Sequence, residues 1–375
     1  MKMIVDVQLD LTYEQRNALL RTLEHANAAA NRLSQAAWET GTFGQYALHK
    51  LAYHDTKDAT GLTAQMVVRL IAKVADAYKL DRNRQRSFRS HGSIAYDDRI
   101  VHWYTSKGEV SIWTVDGRLT IPYRCGDRQR TLLAMRQGES DLVYRDGRFY
   151  LYATVNYIEP PTGEPDAFLG VDLGLVNLAT DSDGTVYTGT DVERVRRTYA
   201  HRRRNLQRKG TRSAKRKLKA IAGKQARYQQ STNHVISKQI VTTAEDTQRG
   251  IGLENLTGLS ARTTVRKRQR ARHSNWAYRQ IGEYIHYKAR MRGVRVVDLD
   301  PRYTSQRCAV CGHTARANRQ SQSSFLCVAC GHAGLADHNA ARNLAFLARA
   351  SVMVPNGGFA PKVLGMSSLG TSPLL

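Results

Sequence analysis

The chain has 375 residues, with 57 Lys or Arg against 32 Asp or Glu, a formal charge of +25. That length suits two or three domains, and the excess of cations points to a polyanionic partner, because each neutralised phosphate releases condensed counterions. No uncharged apolar run reaches the ~20 residues that span a bilayer, and the N-terminal MKMIVDVQLDL alternates instead of giving a signal peptide's apolar core, so a soluble cytoplasmic protein is expected, nucleoid-associated when bound to DNA.

Residues 3–11 read as a strand, with Val5, Val7, Leu9 and Leu11 alternating with Asp6, Gln8 and Asp10. Thr12 followed by Gln15 is a capping box, and it opens a helix through YEQRNALLRTLEHANAAANRLSQAAWET with Leu19, Leu20 and Leu23 on one face. A second helical run begins at Thr63 and carries Met66, Leu70, Val74 and Tyr78 at four-residue steps. From about Gly92 to Asn156, short alternating strands are broken by turn dipeptides, and Asp116-Gly117 and Asp146-Gly147 predict hairpins. The expected first half is a small β-barrel, residues 1–11 and 92–158, with a helical insertion at 12–91. A proline-rich linker at 159–166 then marks a domain boundary. FLGVDLGLVNLATDSDGTVYTG reads as two strands joined at Asp183-Gly184. The stretch from Arg194 to Arg227 is a basic helical region with 15 Lys or Arg and no acid. A strand (GIGLENLTGL), a basic loop (RTTVRKRQRARH), a helix (NWAYRQIGEYIHYKARMRG) and a strand (VRVVDLD) follow. A last helix starts at Asp337, and the tail 354–375 has the composition of a disordered segment.

Cys308-x2-Cys311-x15-Cys327-x2-Cys330 has the spacing of a four-cysteine zinc site. Four thiolates leave no open position, so one Zn²⁺ here would be structural. A redox C-x-x-C would want a thioredoxin-like context that this stretch lacks. His313 and His332 fit solvent or phosphate better than ligation. Cys125 stands alone as a small residue.

Asp172 and Glu254 each sit inside an apolar, strand-like run, and Asp337 heads the last helix. A buried carboxylate needs a cation or hydrogen bonds. Singly, each has an ordinary alternative: Asp172 on a solvent-facing strand edge, Glu254 in an ion pair with an arginine, Asp337 as an N-cap. Together, two acids on strands and one at a helix start are what an RNase H-like sheet uses to hold two divalent ions. Hard oxygen ligands favour Mg²⁺ or Mn²⁺, and two ions ~4 Å apart activate a water and stabilise the leaving oxygen in phosphodiester hydrolysis.

The motifs GVDLGLVNLAT, GLENLTGL, YTSQRCAVCGH, FLCVACGH and DHNAARNLA resemble the signature of transposon-encoded TnpB proteins. These are compact RNA-guided nucleases related to type V CRISPR effectors. The resemblance implies an α+β multidomain fold: an N-terminal wedge barrel with a helical recognition insertion, then an RNase H-like (RuvC) α/β nuclease domain split over 167–301 and 335–353. A four-cysteine zinc module at 302–334 interrupts that domain. It further implies that Asp172, Glu254 and Asp337 are catalytic, with Asp172 bridging both Mg²⁺ ions and the other two each holding one. The implied partners are a guide RNA from the transposon end and a double-stranded DNA target cut beside a short transposon-adjacent motif, in a prokaryotic host. One departure is HAGLADHN, which replaces the usual acidic–basic pair before the last aspartate, although Asn339, Ala340 and Asn343 are retained. Relatives without the acids only bind DNA, and all three are present here. The rival readings are a non-cleaving repressor, a compact CRISPR effector and a guide-free structure-selective nuclease.

Fifteen cations without an acid repel one another unless an anion is near. Arg196, Arg197, Arg202, Arg203, Arg204, Lys215, Arg216 and Lys217 are therefore expected to hold a nucleic-acid backbone, with Tyr199, Leu206, Leu218 and Ile221 packing inward. Arg266, Lys267 and Arg268, in the loop after Glu254, would gate strand entry. Trp276, Tyr278, Tyr284 and Tyr287 can stack bases or pack in the core. His102, Trp103, Tyr104 and the run from Asp81 to Arg89 are further contact candidates.

Overall fold

Alternating apolar residues make Lys2–Leu9 a strand (β1) whose Val5, Val7 and Leu9 face inward. The computed structural model describes residues 1–174, 176–255 and 277–353, and the chain divides into two units, one of residues Met1–Ile158 and one beginning at Glu159. The expected loop at 262–272, with Arg266, Lys267 and Arg268, lies outside the described residues, as do Trp276 and the tail 354–375.

In the first unit, β1 is the middle strand of an antiparallel sheet of order β2-β6-β7-β1-β5-β4-β3. The other strands are β2 (Ile94–Tyr96), β3 (Val101–Tyr104), β4 (Glu109–Thr114), β5 (Gly117–Arg124), β6 (Arg136–Arg145) and β7 (Arg148–Asn156). Its edge strands β2 and β3 are joined by residues 97–100 alone, which draws the sheet toward closure. Asp146 (φ 50°) and Gly147 (φ 79°) make the expected turn, because a two-residue hairpin loop of this kind wants both central residues at positive φ. At the other hairpin the register differs from expectation: Thr114 pairs with Gly117, so the loop is Val115–Asp116. Three helices separate β1 from β2: α1 (Tyr13–Thr40), α2 (Gln45–Thr60) and α3 (Ala64–Leu80). The capping box at α1 forms as expected, with the Thr12 hydroxyl accepting from Gln15 N–H and the Gln15 side chain accepting from Thr12 N–H. Helix α2 escapes sequence patterning because its buried strip is only Leu48, Ala52 and Thr56. The short α4 (Asp127–Leu133) escapes it for lack of length.

The second unit is built on a five-stranded sheet of order β10-β9-β8-β11-β12. Its strands are β8 (Phe168–Asp172), β9 (Asn177–Asp181), β10 (Val186–Thr188), β11 (Gly250–Glu254) and β12 (Val296–Leu299). The β10-β9-β8 side is antiparallel and the β8-β11-β12 side parallel. The basic region is three helices, α5 (Thr190–Lys209), α6 (Arg212–Ile221) and α7 (Lys224–Asp246), interrupted at Gly210 and Gly223. Helix α5 buries no residue, and it packs against α6 and α7. Helices α8 (Ala277–Arg292) and α9 (Ala336–Met353) complete the unit, and a small hairpin, β13 (Ser324–Leu326) and β14 (Ala333–Leu335), lies against α9.

Strand period 2 sorts the side chains between the two faces. Leu169, Val171, Ile251 and Leu253 point to one core with Ile236 and Ile240 of α7 and Ile281 and Ile285 of α8. Phe168 and Leu299 point to the other, with Leu344 and Ala348 of α9. The alternate positions facing α9 are glycines, paired in register as Gly252 and Gly170. A Cβ on Gly170 would lie 1.9 Å from Ala341 O and 2.5 Å from Ala345 N; one on Gly252 would lie 2.8 Å from Leu344 O. Helix α9 therefore rests on bare strand backbone. Among the described residues no helix is long and apolar enough to cross a membrane.

Candidate functional site

Two residues beyond each glycine, on the same face, the strand ends in an acid: Asp172 on β8 and Glu254 on β11. Asp337 stands in the first turn of the helix that covers them. The three carboxylates, far apart in the chain, meet closely enough that each of the other two charges disfavours an ionised Asp172. Burial first, then those charges, push its carboxyl well above the ordinary carboxylate range, and it shares a hydrogen bond with Glu254. Burial also raises Glu254, opposed by hydrogen bonds with Asp172 and Thr304 and by the positive charge of Arg319. None of the three acids forms an ion pair with a Lys or Arg among the described residues. The ordinary readings weighed above thus meet an internal strand for Asp172 and no paired arginine for Glu254.

Sequence reasoning assigned no role to the polar groups around these acids. Asn177 Nδ2 donates to Asp337 Oδ2 at 2.9 Å, and Thr304 Oγ1 lies 3.3 Å from Glu254 Oε1. Both sit inside quoted motifs, where nothing set Asn177 apart from the other polar residues of the strand NLATD. Arg319 follows a short 3-10 turn, Arg316–Asn318, and nothing in TARANRQ distinguishes it from its basic neighbours.

Beside the acids the four cysteines converge, their sulfurs all within 4.8 Å of one another. Cys308 Sγ to Cys330 Sγ is 3.7 Å and Cys311 Sγ to Cys327 Sγ 3.5 Å. A tetrahedral ion with ~2.3 Å metal–sulfur bonds would set its ligands ~3.8 Å apart, so the donor set fits Zn²⁺. The separations are also far from a ~2.05 Å disulfide. Each pair forms the same knuckle: Gly312 N–H donates to Cys308 O and Gly331 N–H to Cys327 O, at φ of 76° and 73° that favour glycine. Backbone N–H groups of Cys330 and Ala329 help hold the Cys327 thiol down to about 6, favouring the thiolate a metal needs.

The expected nucleic-acid contacts divide. Arg196 and Arg197 are both tied to Glu193, at 2.6 and 2.7 Å, and Arg203 donates to Gln225 at 2.9 Å. Arg202 lies over the Tyr199 ring, 5.6 Å from its centroid. Arg202, Arg204, Lys215, Arg216 and Lys217 are exposed and have no acidic partner among the described residues. Tyr284 stacks on His234 at 4.0 Å, and Tyr287 meets Tyr284 edge-on at 5.8 Å, so both are engaged within the helix layer.

Residues 145–277 match the family described as a probable transposase, and residues 278–344 match the Cas12f1-like TNB domain. The CRISPR-associated endodeoxyribonuclease Cas12f1 of Sulfoacidibacillus thermotolerans is 26% identical, over 90% of this chain and 94% of its own length. The putative RNA-guided DNA endonuclease InsQ of Escherichia coli K12 is 33% identical over 53% of each chain. Among solved structures, a Cas12f1–sgRNA–target DNA complex superposes with a TM-score of 0.60 at 14% identity, covering 90% of this chain and 83% of that one, which establishes a shared fold.

Proposed function

We propose that this chain, a TnpB-like protein related to the compact type V CRISPR effectors, is an RNA-guided DNA endonuclease of a transposable element, cutting double-stranded DNA beside a short adjacent motif. The observation that carries the reading is the carboxylate cluster itself: Asp172, Glu254 and Asp337 meet on one face without an ion pair to Lys or Arg among the described residues, and burial and mutual repulsion raise Asp172. Such a group is unfavourable unless a cation joins it. The names of the two relatives described above support the activity and its RNA guidance.

In this reading the second unit is a RuvC-like nuclease, interrupted by the cysteine module, and the first unit supplies the wedge and recognition parts. Asp172, Glu254 and Asp337 would hold two Mg²⁺ or Mn²⁺ ions, which lower the pKa of an attacking water and offset charge on the leaving oxygen. The chain's own residues do the rest. The paired strand ends fix Asp172 and Glu254 side by side, and Asn177 holds one oxygen of Asp337. Arg319 brings a positive charge to the cluster, suited to the scissile phosphate. Arg202, Arg204, Lys215, Arg216 and Lys217 provide exposed positive charge for guide or heteroduplex backbone, while base pairing supplies sequence specificity. One Zn²⁺ on Cys308, Cys311, Cys327 and Cys330 would be structural.

The deciding experiment purifies the protein with its native flanking DNA, sequences the bound RNA and assays cleavage of matching DNA in Mg²⁺. Asp172→Ala or Glu254→Ala should abolish cutting and leave RNA and target binding within about twofold of wild type, as expected for residues acting only in the chemical step. Binding that falls in step with cutting overturns that division of roles, and Mg²⁺-dependent nicking without a discrete RNA overturns RNA guidance.

A further inference from the structure

The root of the cysteine module is fastened to the helix that carries Asp337. Asn343 Nδ2 donates to Thr304 O at 2.9 Å and to Arg307 O at 2.7 Å. Asn339 Nδ2 donates to the same Arg307 O at 2.7 Å, and its Oδ1 accepts from Ala309 N–H, next to Cys308, at 2.9 Å. Both asparagines are buried, Asn339 at 2% and Asn343 at 1% exposure, and they stand four residues apart on one face of α9. Buried amides bonded in this way fix the backbone they hold, because leaving any of these groups unpaired would cost its desolvation.

What this bracket fixes is Thr304, itself 2% exposed, whose hydroxyl has one proton and two acceptors: Pro301 O at 2.9 Å and Glu254 Oε1 at 3.3 Å. The hydroxyl is thus held within hydrogen-bond reach of the Glu254 carboxyl from a fixed, buried position. We infer that Thr304 is a positioning residue for Glu254, held in place by Asn339 and Asn343, so that the cysteine module and the carboxylate cluster act as one mechanical unit. Buried at 2% exposure, Thr304 acts on the cluster through Glu254. It selects the orientation in which Glu254 meets a divalent ion, as outer-shell groups do for ligating side chains. The cysteine module is then a lever as well as a brace, since its root sets a carboxylate of the neighbouring cluster.

This inference rests on the reading that the carboxylates hold divalent ions, and one experiment separates the two. Mn²⁺ binding to the zinc-loaded full chain is measured by calorimetry for wild type, Glu254→Gln, Thr304→Val, Thr304→Ser and Asn343→Ala, with melting curves for each. Thr304→Val keeps the shape and removes the hydroxyl, so Mn²⁺ should bind about tenfold more weakly at a nearly unchanged Tm, with Thr304→Ser restoring affinity. Asn343→Ala, which keeps the hydroxyl but loosens its support, should weaken Mn²⁺ in the same direction. Wild-type affinity in Thr304→Val, with Glu254→Gln still weakened, overturns the positioning role alone. Equal Mn²⁺ binding by wild type and Glu254→Gln overturns the carboxylate reading and the inference with it. A Thr304→Ser variant as weak as Thr304→Val also overturns the role, since loss would then follow packing and not the hydroxyl.

Discussion

The four thiols and the three carboxylates are both clusters of like ligands, but they are assembled by different means. The thiols come from two tight knuckles within 23 residues, Cys308 to Cys330, each closed by its own backbone hydrogen bonds and a glycine. The acids come from positions 172, 254 and 337 and meet only because a helix lies flat on two strands. In the first cluster local N–H groups lower the Cys327 thiol while hydrogen bonds with the neighbouring thiols push Cys330 up to about 12; in the second, burial and repulsion raise the Asp172 carboxyl. The local cluster is shaped by its own backbone N–H groups, which favour one thiolate, whereas the cluster assembled by tertiary packing stores repulsion that a bound cation would relieve.

The largest break in that comparison comes from the thiols. Cys308 is fully buried with Phe325, Cys327 and Ala336 in the small core of its module. Cys308→Ser should release zinc and destabilise the second unit by on the order of 5 kcal/mol, because binding energy at a structural site is folding energy. Metal content and calorimetric melting measure it, and an unchanged value of both would refute the structural role.

Next in size is a methyl group added to each cluster. At Gly170 it would press into the backbone of Ala341 and Ala345, which cannot yield without lifting the helix that carries Asp337. Gly170→Ala should cost about 3 kcal/mol. At Gly331 a Cβ meets nothing within 4 Å, and only the φ of 73° opposes it, so Gly331→Ala should cost about 1 kcal/mol. Equal costs in chemical denaturation would mean that the acids do not depend on this close approach.

The same distinction explains what was legible beforehand. Cys spacing, the capping box at Thr12 and the Asp146-Gly147 turn are short-range patterns, and each was readable. Asp172 and Glu254 could be singled out because a lone acid in an apolar strand is anomalous. Their supports could not: Thr304, Asn177 and Arg319 are unremarkable until the chain folds. The glycines of GVDLG and GIGLE did carry a signal, since an interior strand glycine often marks a close backbone approach. The helix α2 and the Val115–Asp116 loop were hidden for the opposite reason, being decided by packing and register with weak local patterns.

A smaller effect than that of Gly170→Ala is the most direct measure of stored repulsion. The Asp172 carboxyl has a folded pKa raised above its ordinary value of 3.8, so its ionisation opposes folding. The sign follows from proton linkage: the folded state binds the extra proton, so stability contributed by the raised pKa is present at low pH and lost as pH rises through the folded value. In zinc-loaded protein without other divalent ions, Asp172→Asn should therefore be more stable than wild type by about 1–2 kcal/mol at pH 8. The advantage should shrink toward pH 5, the practical lower limit before cysteine protonation releases zinc. Added Mn²⁺ should reverse the order, because the ion stabilises the charged wild-type cluster and the amide cannot replace a carboxylate ligand. Melting curves of the two proteins across pH 5–8, with and without Mn²⁺, test each sign separately. Parallel curves would mean that the three acids are already balanced within the protein, and an ion would then have no repulsion to relieve.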